Sequence, residues 1–424
     1  MKLLLAPEKI ITSTSEDVWL NSGSSKMILL TSGDNQQYIS LMKKWSGHVF
    51  HQVECFKSYA INDFLCLRAL ELINEFKITK IIAMSEADIM RSANMRELFD
   101  IEGHASSDAV LFRDKIMMKD HAAKNHVPVP RYKCIKDGAD IVTFIERVNY
   151  PVVIKPILGR GSQNTFIIRN ESELRNKLDT GFISDTCRRT DLLAEEYIDG
   201  DVYHLDGLVI NHEIRVISVS KYVNNCLAFV NGEYLGSYTL DDANYLKAKL
   251  SSFGRHLVEK VFPFPAHSLF HIELFVDKQD RITLCEIACR LGGNGINDEV
   301  MLQQRVDIKM AYIRAECGVT AIEENVSEKA NIAARVLIPP KEAKLLFIPT
   351  SCDLNGVLRY QSRGVVGRKY RNMSMSNDEV ANFLLVGQNE VEIQEKINCV
   401  VEWFYQNSKW EFSAELKEGN EYVL

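Results

Sequence analysis

The stretch His271–Gly295, HIELFVDKQDRITLCEIACRLGGNG, contains two predicted strands, a short polar turn between them and a glycine-rich loop after them. Glu273 and Glu286 lie thirteen positions apart on the two strands, a spacing that can place both carboxylates on one face of a sheet. Two such carboxylates favour a Mg²⁺ ion that also binds nucleotide phosphates. Arg290 follows, where its guanidinium can hold a phosphoryl group. An ordinary hairpin with exposed acids is the alternative, and this stretch alone favours it.

Composition places the chain among ordinary globular proteins. Its 424 residues predict two or three domains, and 50 basic against 57 acidic residues give a net charge of −7, which argues against nucleic acid as a main partner. No apolar run is long enough for a membrane span, and MKLLLAPEKI is too short for a secretory leader. The ten scattered cysteines are interpreted as reduced thiols, so we expect a cytoplasmic protein.

The N-terminal part alternates predicted strands and helices. The predicted strands are 27–33, 48–56 and 80–85, and the predicted helices are 64–76 and 86–98. This alternation predicts a parallel α/β sheet that is covered on both sides. No GxGxxG follows the first predicted strand, so the dinucleotide-binding fingerprint is missing. We expect this domain to end near residue 112.

Two lysines and a glycine-rich loop come next. Lys115 begins a predicted helix, 113–126, where a solvated surface charge is the plain alternative. In 151–169, PVVIKPILGRGSQNTFIIR, Lys155 ends one strand and GRGSQN precedes another. Such a loop leaves backbone N–H groups free to surround phosphates. It is not a Walker A motif, and as an isolated signal it is no more specific than a common hairpin turn.

Residues 192–209, LLAEEYIDGDVYHLDGLV, form a third segment. An adenine ring needs an apolar slot and a backbone edge that offers one donor and one acceptor. A short extended segment between two lobes supplies both, and an acid beside it can bind the ribose hydroxyls. An ordinary strand–turn–strand is an equally good interpretation of this segment alone.

These pieces occur in a fixed order, and the order resembles that of the ATP-grasp superfamily over roughly residues 80–320. Within it the chain looks most like the carboxylate–amine ligases grouped with biotin carboxylase and the L-amino-acid ligases. The resemblance implies an ATP-grasp fold of mixed α/β and α+β class. It implies an N-terminal parallel α/β domain at 1–112 and an ATP-grasp domain at 113–320, with a lid at about 127–193. An α+β domain at 321–424 would pack on this core.

The resemblance also implies ATP and Mg²⁺ or Mn²⁺ as cofactors, and it gives roles to individual residues. The implied roles are phosphate binding for Lys115 and Lys155, the lid loop for Gly159, Gly161 and Ser162, adenine binding for Glu195, Glu196 and Ile198, metal binding for Glu273 and Glu286, and catalysis for Arg290 together with Lys155.

Two positions depart from the family pattern. Ala288 stands where many relatives have an asparagine metal ligand, so we expect water to complete the metal shell. Val202 stands where relatives often have a glutamate for the ribose. Asp201 is the candidate substitute, but as a strand neighbour it would point to the other face unless the backbone bulges.

The expected activity is ATP-dependent joining of a carboxylate to an amine through an acyl phosphate, with release of ADP and phosphate. The resemblance implies an amino acid or a similar small acid as substrate, and small-molecule carboxylate and amine partners without nucleic acid or membrane; a homodimer is left open. His204, Asp206 and Asn294 are expected on the acceptor side, with a purely structural role as the alternative. A carboxylase that activates bicarbonate and a non-catalytic nucleotide-binding protein are the alternative functions.

Overall fold

The computed structural model describes residues 1–182, 192–224, 232–323, 331–371, 373 and 378–412. Parts of the predicted lid (183–191) and of the predicted C-terminal domain (324–330, 372, 374–377 and 413–424) therefore lie outside the described residues. No helix in the described ranges has both the length and the hydropathy needed to cross a bilayer.

The N-terminal region is a parallel sheet with helices. Its strands are β1 (Lys2–Leu5), β2 (Met27–Ser32), β3 (Gln52–Phe56) and β4 (Lys80–Ala83). Its helices are α1 (Glu8–Thr12), α2 (Glu16–Leu20), α3 (Gln36–Trp45), α4 (Asp63–Phe76), α5 (Asp88–Phe99) and α6 (Ser106–Ala109), with 3₁₀ segments at Ser24–Lys26, Tyr59–Ile61 and Val110–Phe112. All strand pairs are parallel, in the order β3-β2-β1-β4, which confirms the predicted α/β class.

Strand β1 was not among the predicted strands, although it lies inside the sheet between β2 and β4. Leu3, Leu4 and Leu5 are fully buried. Four residues are too few to show either a helical or a strand period, and a strand covered on both faces has no alternation to detect.

The next region is a small antiparallel sheet, which we call the lid sheet. Its strands are β5 (Tyr132–Ile135), β6 (Val152–Pro156), β7 (Phe166–Ile168) and β8 (Leu192–Glu196), and the helices are α7 (Lys115–Lys124), α8 (Gly138–Val148) and α9 (Glu171–Thr180). The strand order is β5-β8-β6-β7, and every pair is antiparallel. Phe144 and Ile145 of α8 pack on Val152 and Ile154 of β6, which fixes the strand that ends at Lys155.

Most of the remaining strands build one large sheet. The strands are β9 (Gly200–Ile210), β10 (Glu213–Tyr222), β11 (Leu235–Thr239), β12 (His267–Asp277), β13 (Ile282–Ala288), β14 (Ile332–Ile338), β15 (Lys344–Phe347), β16 (Val357–Ser362), β17 (Ala381–Gly387) and β18 (Lys409–Glu411). The helices are α10 (Tyr245–His256), which continues as a π-helical turn at Leu257–Val261, α11 (Ile296–Gln304), α12 (Ile308–Glu316) and α13 (Glu390–Asn407).

Eight of these strands form a single antiparallel sheet in the order β13-β12-β9-β10-β11-β14-β17-β16, while β15 and β18 pair separately. Strand β14 pairs directly with β11, so the sheet runs without interruption across the predicted boundary near residue 320. The C-terminal region therefore extends the central sheet as well as packing on it.

The two faces of the central sheet have different surroundings. On one face, Leu205 and Ile272 pack in an apolar core with Leu250 of α10 and Ile397 of α13. The other face carries polar residues in the middle of the sheet and is closed at one end by α11 and α12. We call this the polar face. Because successive strand residues point to opposite faces, the odd-numbered residues of β12 and the even-numbered residues of β9 share it.

Candidate active site

The hairpin of β12 and β13 brings Glu273 and Glu286 together as direct cross-strand partners. The register shifts beside them, because Leu274 pairs with Leu284 and leaves Cys285 without a partner. In a regular hairpin Glu273 would face Cys285, and Glu286 would point to the opposite face. The extra residue is a β-bulge, and it turns Glu286 onto the polar face.

Each of the two acids uses one of its carboxylate oxygens for contacts with the protein. Oε1 of Glu273 accepts a hydrogen bond from the Tyr222 hydroxyl at 2.9 Å, and Oε1 of Glu286 lies 3.3 Å from Nζ of Lys115. Among the described residues, Oε2 of either acid receives no hydrogen bond. Burial alone would raise both pKa values, but His271 lowers that of Glu273 to about 2, and Lys115 lowers that of Glu286. Two opposed, ionised carboxylates with available oxygens fit a hard cation such as Mg²⁺.

The two predicted phosphate lysines are buried and engaged. Nζ of Lys115 donates to the Gly159 carbonyl at 2.8 Å, so the start of α7 holds the glycine loop. Nζ of Lys155 lies 2.7 Å from Oε2 of Glu195. Burial lowers the pKa of Lys115 despite the charge of Glu286, whereas Glu195 outweighs burial and raises the pKa of Lys155.

Glu195 is held between two lysines. Its Oε1 lies 3.0 Å from Nζ of Lys119, on the side opposite Lys155. Burial would raise its pKa, but the two ammonium groups lower it to about 2. Its side chain is therefore engaged by the lysines, and its backbone lies in a strand that is paired on both sides.

Arg290 is paired with an acid from the N-terminal region. Its Nε donates to Oε2 of Glu86, while Arg113 binds Oε1 of the same carboxylate. Arg113 also donates to the Leu158 carbonyl of the glycine loop at 3.0 Å. The two guanidinium groups thus converge on one buried acid, beside the lysine–glutamate pair of Lys115 and Glu286.

The loop between β6 and β7 contains the predicted lid residues. Gly159 contacts Lys115, as described above, while Gly161 is exposed and Ser162 is half-buried. Gly161 and Ser162 both have φ of 56°, which turns successive peptide groups in the manner of an anion-binding concavity. Backbone N–H groups are therefore the groups that this loop offers to a phosphate.

The predicted adenine-binding segment lies where β8 ends and β9 begins. The Glu196 carboxylate pairs with Arg131, and the Glu196 N–H donates to the Arg131 carbonyl at 2.9 Å. Ile198 is half-buried, and its N–H donates no hydrogen bond within the described part of the chain. The Ile198 N–H is thus available to an acceptor on a ring.

The ribose contact predicted for Asp201 is not supported by the strand geometry. The β9–β12 register is regular from Gly200 to Ile210, so no bulge reverses Asp201, and it faces away from Val202 and the polar face. Asp201 is largely exposed and pairs with Lys221 at 2.7 Å. We therefore correct this assignment, because Asp201 cannot replace a glutamate at position 202 without a change of backbone.

Histidines and acids occupy the polar face beside Glu273. Asp206 accepts hydrogen bonds from Nδ1 of His204 at 2.7 Å and from Nδ1 of His271 at 2.8 Å. Nε2 of His271 lies 3.6 Å from Oε1 of Glu273. Burial disfavours both charged forms, but mutual attraction lowers the pKa of Asp206 well below its usual range and raises that of His271 to about 9.

This histidine cluster lies under the glycine-rich loop that follows β13. A Cβ atom at Gly292 would lie 2.3 Å from Oδ1 of Asp206, so this position requires glycine. The carbonyl of Asn294, which has φ of 55°, accepts from Arg335 at 3.4 Å. Arg335 also donates to the fully buried Glu299 of α11 at 3.2 Å. His204, Asp206 and Asn294, predicted on the acceptor side, thus lie within one connected region.

The polar face therefore contains residues that the sequence interpretation missed. They are Glu86, Arg113, Lys119, Tyr222 and His271, together with Glu299 and Arg335. Lys119 had a signal, because it follows Lys115 by four residues on one helix and so shares its face. His271 also had a signal, because it precedes Glu273 by two residues on one strand and so shares its face. The others come from distant segments, and no local pattern in the chain links them to Glu273 or Glu286.

Comparison with known proteins shows which proteins the chain is similar to. Residues 148–298 match the family described as ATP-grasp domain. An L-arginine-specific L-amino acid ligase from Bacillus subtilis is 24% identical over 387 residues, which cover 87% of this chain and 88% of that protein. Proteins of the ATP-grasp family use ATP with Mg²⁺ or Mn²⁺.

Solved structures have the same fold over nearly the whole chain. An L-amino acid ligase from Bacillus licheniformis superposes with a TM-score of 0.69 at 15% identity, covering 97% of this chain and 99% of that one. The biotin carboxylase domain of Hydrogenobacter thermophilus 2-oxoglutarate carboxylase, solved with MgADP and bicarbonate, gives 0.66 at 15% identity and covers 97% and 90%. The chain thus has an ATP-grasp fold, and residues 148–298 match the ATP-grasp domain family.

Proposed function

We propose that this protein is an ADP-forming ligase that joins a small carboxylic acid, most simply an amino acid, to an amine. The observation that carries the proposal is the convergence of Lys115, Lys155, Glu273, Glu286 and Arg290 around one end of the polar face. These groups are suited to a transferring phosphoryl group and its metal. The Bacillus subtilis relative, an amino acid ligase, supports the choice of substrate class.

The proposed reaction has two steps. An oxygen of the substrate carboxylate attacks the γ-phosphorus of ATP, the bond to the β-phosphate oxygen breaks, and an acyl phosphate and ADP result. The amine then attacks the acyl carbon, phosphate leaves with the electron pair of the C–O bond, and the amine loses a proton. The described residues contain no recognisable nucleophile–base pair, and we propose no covalent enzyme adduct.

The protein's part is to position reactants and to balance charge. Lys115 and Lys155 neutralise phosphate oxygens, and Arg290 holds the transferred group once it leaves Glu86. The N–H groups around Gly161 and Ser162 cover the phosphates and exclude water. The backbone from Glu195 to Ile198 binds the adenine edge.

Glu273 and Glu286 are the proposed ligands of Mg²⁺ or Mn²⁺, through the oxygens that receive no hydrogen bond from the described residues. When bound, the ion neutralises charge on the phosphates. With Ala288 in place of an amide ligand, we propose that water completes the metal shell. Small-molecule acid and amine partners follow from the same proposal.

A carboxylase that activates bicarbonate is the second candidate, and the structural likeness to a biotin carboxylase domain is the observation that favours it. Both reactions begin by phosphorylating a carboxylate-type oxygen, so they differ in acid and nucleophile. A non-catalytic nucleotide-binding role does not account for the full set of buried lysines and acids, whose burial costs free energy that binding alone does not require.

The test is a screen of amino acids, singly and in pairs, with ATP and Mg²⁺, in which ADP, AMP, phosphate and pyrophosphate are all measured. We expect ADP and phosphate with a matching acid, and an acyl hydroxamate when hydroxylamine replaces the amine. AMP with pyrophosphate would refute the acyl-phosphate route. Turnover with bicarbonate but with no amino acid would favour the carboxylase. Glu286→Gln serves as the inactive control.

A further inference from the structure

Lys119 is a buried lysine that the reaction described above does not use. It lies one turn after Lys115 on α7, and its side chain is fully enclosed. Lysine is almost never completely buried unless it is paired, because its ammonium group loses its hydration. Two contacts compensate this loss: an ion pair with Glu195 at 3.0 Å and a hydrogen bond to the Cys285 carbonyl at 3.1 Å.

The two contacts join separate parts of the molecule. Glu195 ends β8 of the lid sheet, whereas Cys285 is the extra residue of the bulge in β13 of the central sheet. A bulged residue has no cross-strand partner, so its carbonyl needs a donor from elsewhere. Lys119 is that donor. The bulge in turn decides that Glu286 faces Glu273.

We infer that Lys119 is a positioning residue that couples the two halves of the active site. Through the Cys285 carbonyl it holds the bulge that orients Glu286, and through Glu195 it holds the partner of Lys155. Its ammonium group is enclosed by protein and contacts Glu195 and the Cys285 carbonyl, so we assign it no direct contact with nucleotide or metal. The inference rests on the proposed function, in which Glu286 binds the metal and Lys155 binds phosphate.

The test uses Lys119→Met, which keeps an unbranched side chain of similar length but removes the charge and the donor. Affinity for Mn²⁺ in the presence of ADP is measured by electron paramagnetic resonance, and turnover is measured separately. We expect Mn²⁺ affinity to fall about tenfold to a hundredfold, the range found when groups that orient metal ligands are removed. Turnover should fall at least as much, since Glu195, the partner of Lys155, also loses one of its two lysine contacts.

Lys124→Met is the matched control, because Lys124 is an exposed lysine on the same helix. It should leave both quantities unchanged. If Lys119→Met does not fold, Lys119→Met combined with Glu195→Gln removes both buried charges and keeps the test possible. The double variant still lacks the donor to Cys285, so its Mn²⁺ affinity should remain low.

The possible results of these measurements test the role of Lys119 separately from the proposed metal site. Mn²⁺ affinity within twofold of the unsubstituted protein in a folded Lys119 variant would overturn the positioning role and leave the proposed ligase intact. Failure of the unsubstituted protein to bind Mn²⁺ with ADP would refute the metal site, and the inference with it. Reduced affinity in the Lys119 variants but not in Lys124→Met supports both.

Discussion

The nucleotide side and the acceptor side of the site are built in different ways. On the nucleotide side, ion pairs join elements that are far apart in sequence: Lys115 of α7 pairs with Glu286 of the central sheet. Lys119 of the same helix pairs with Glu195 of the lid sheet. On the acceptor side, Asp206 and His271 make hydrogen bonds between neighbouring strands of one sheet. The first arrangement rests on side-chain ion pairs between separate elements, whereas the second is fixed by the strand register.

This difference has a consequence for substitutions. A charge removed on the nucleotide side is lost from the groups that meet the developing charge of the phosphoryl group, so turnover should suffer most. A group removed on the acceptor side changes how firmly a neighbouring ligand is held, so binding should suffer more than the fold. Substitutions on the two sides therefore test the comparison directly.

The largest effect is expected for Lys155→Ala. Removing one charge-stabilising donor typically lowers kcat by about 10²–10³-fold. The fold should survive, because Glu195 keeps its ion pair with Lys119. ADP release and thermal unfolding are to be measured side by side.

Lys136→Ala is the control for this prediction, because Lys136 is an exposed lysine of the same lid region. It should behave like the unsubstituted protein. Near-normal ADP release by a folded Lys155→Ala protein would mean that Lys155 does not serve the phosphates, and the nucleotide side would have to be assigned anew.

The same contrast explains what could be predicted from sequence. Lys115 and Lys155 were predicted because each lies at a recognisable place on its own helix or strand, and the structure puts both beside acids of the site. The parallel α/β region and the β6–β7 hairpin were predicted for the same reason, since their periodic patterns are local. The assigned roles of these residues remain predictions.

The pairing register of the strands in the central sheet could not be predicted from the sequence. With the turn of this hairpin, which pairs Val276 with Ile282, Glu273 and Glu286 share a face only because of the bulge at Cys285. No residue pattern in the strand marks that bulge. The Asp201 assignment failed on the same point, because the regular β9 register directs that side chain away from the site. The C-terminal strands joined the central sheet through a pairing of β14 with β11 that no local signal encodes.

An intermediate effect, on the free energy of unfolding, is expected when Glu195 is protonated at low pH. Its pKa is lowered to about 2 in the folded protein, whereas an unfolded glutamate titrates at its usual value near 4.3. Between these two pKa values the unfolded chain therefore binds more protons than the folded protein. The stabilisation that Glu195 provides is present above the unfolded pKa and is lost as the pH falls toward the folded pKa. The loss is on the order of 3 kcal/mol in the free energy of unfolding.

Glu195→Gln is the variant that tests this, with denaturant unfolding measured from pH 7 to pH 2.5. The variant should be less stable than the unsubstituted protein at pH 7, because the two lysines lose their shared counter-charge. The difference should shrink steadily below about pH 4.5, the region in which an unfolded carboxylate is protonated. A difference that stays constant with pH would show that Glu195 does not bear the charge assigned to it.

A smaller effect is expected on the acceptor side, for His271→Asn. The shorter amide can still donate to Asp206 in place of Nδ1, but it cannot reach Glu273, so the change removes one neighbour of that carboxylate. We expect about a tenfold loss of Mn²⁺ affinity with ADP, the lower end of the range for groups that orient metal ligands. Thermal unfolding should change little, because the network around Asp206 persists.

Two comparisons decide how this last result is interpreted. Tyr222→Phe removes the other group at Oε1 of Glu273, a hydrogen bond of 2.9 Å, and should cost about 1 kcal/mol, or roughly fivefold in Mn²⁺ affinity. His267→Asn changes a histidine of the same strand away from the acids, and it should leave Mn²⁺ affinity unchanged. If His271→Asn matched His267→Asn, the imidazole would hold Asp206 and the loop at Gly292 but not Glu273. The acceptor side would then be a scaffold for the loop, and only the nucleotide side would act on the metal.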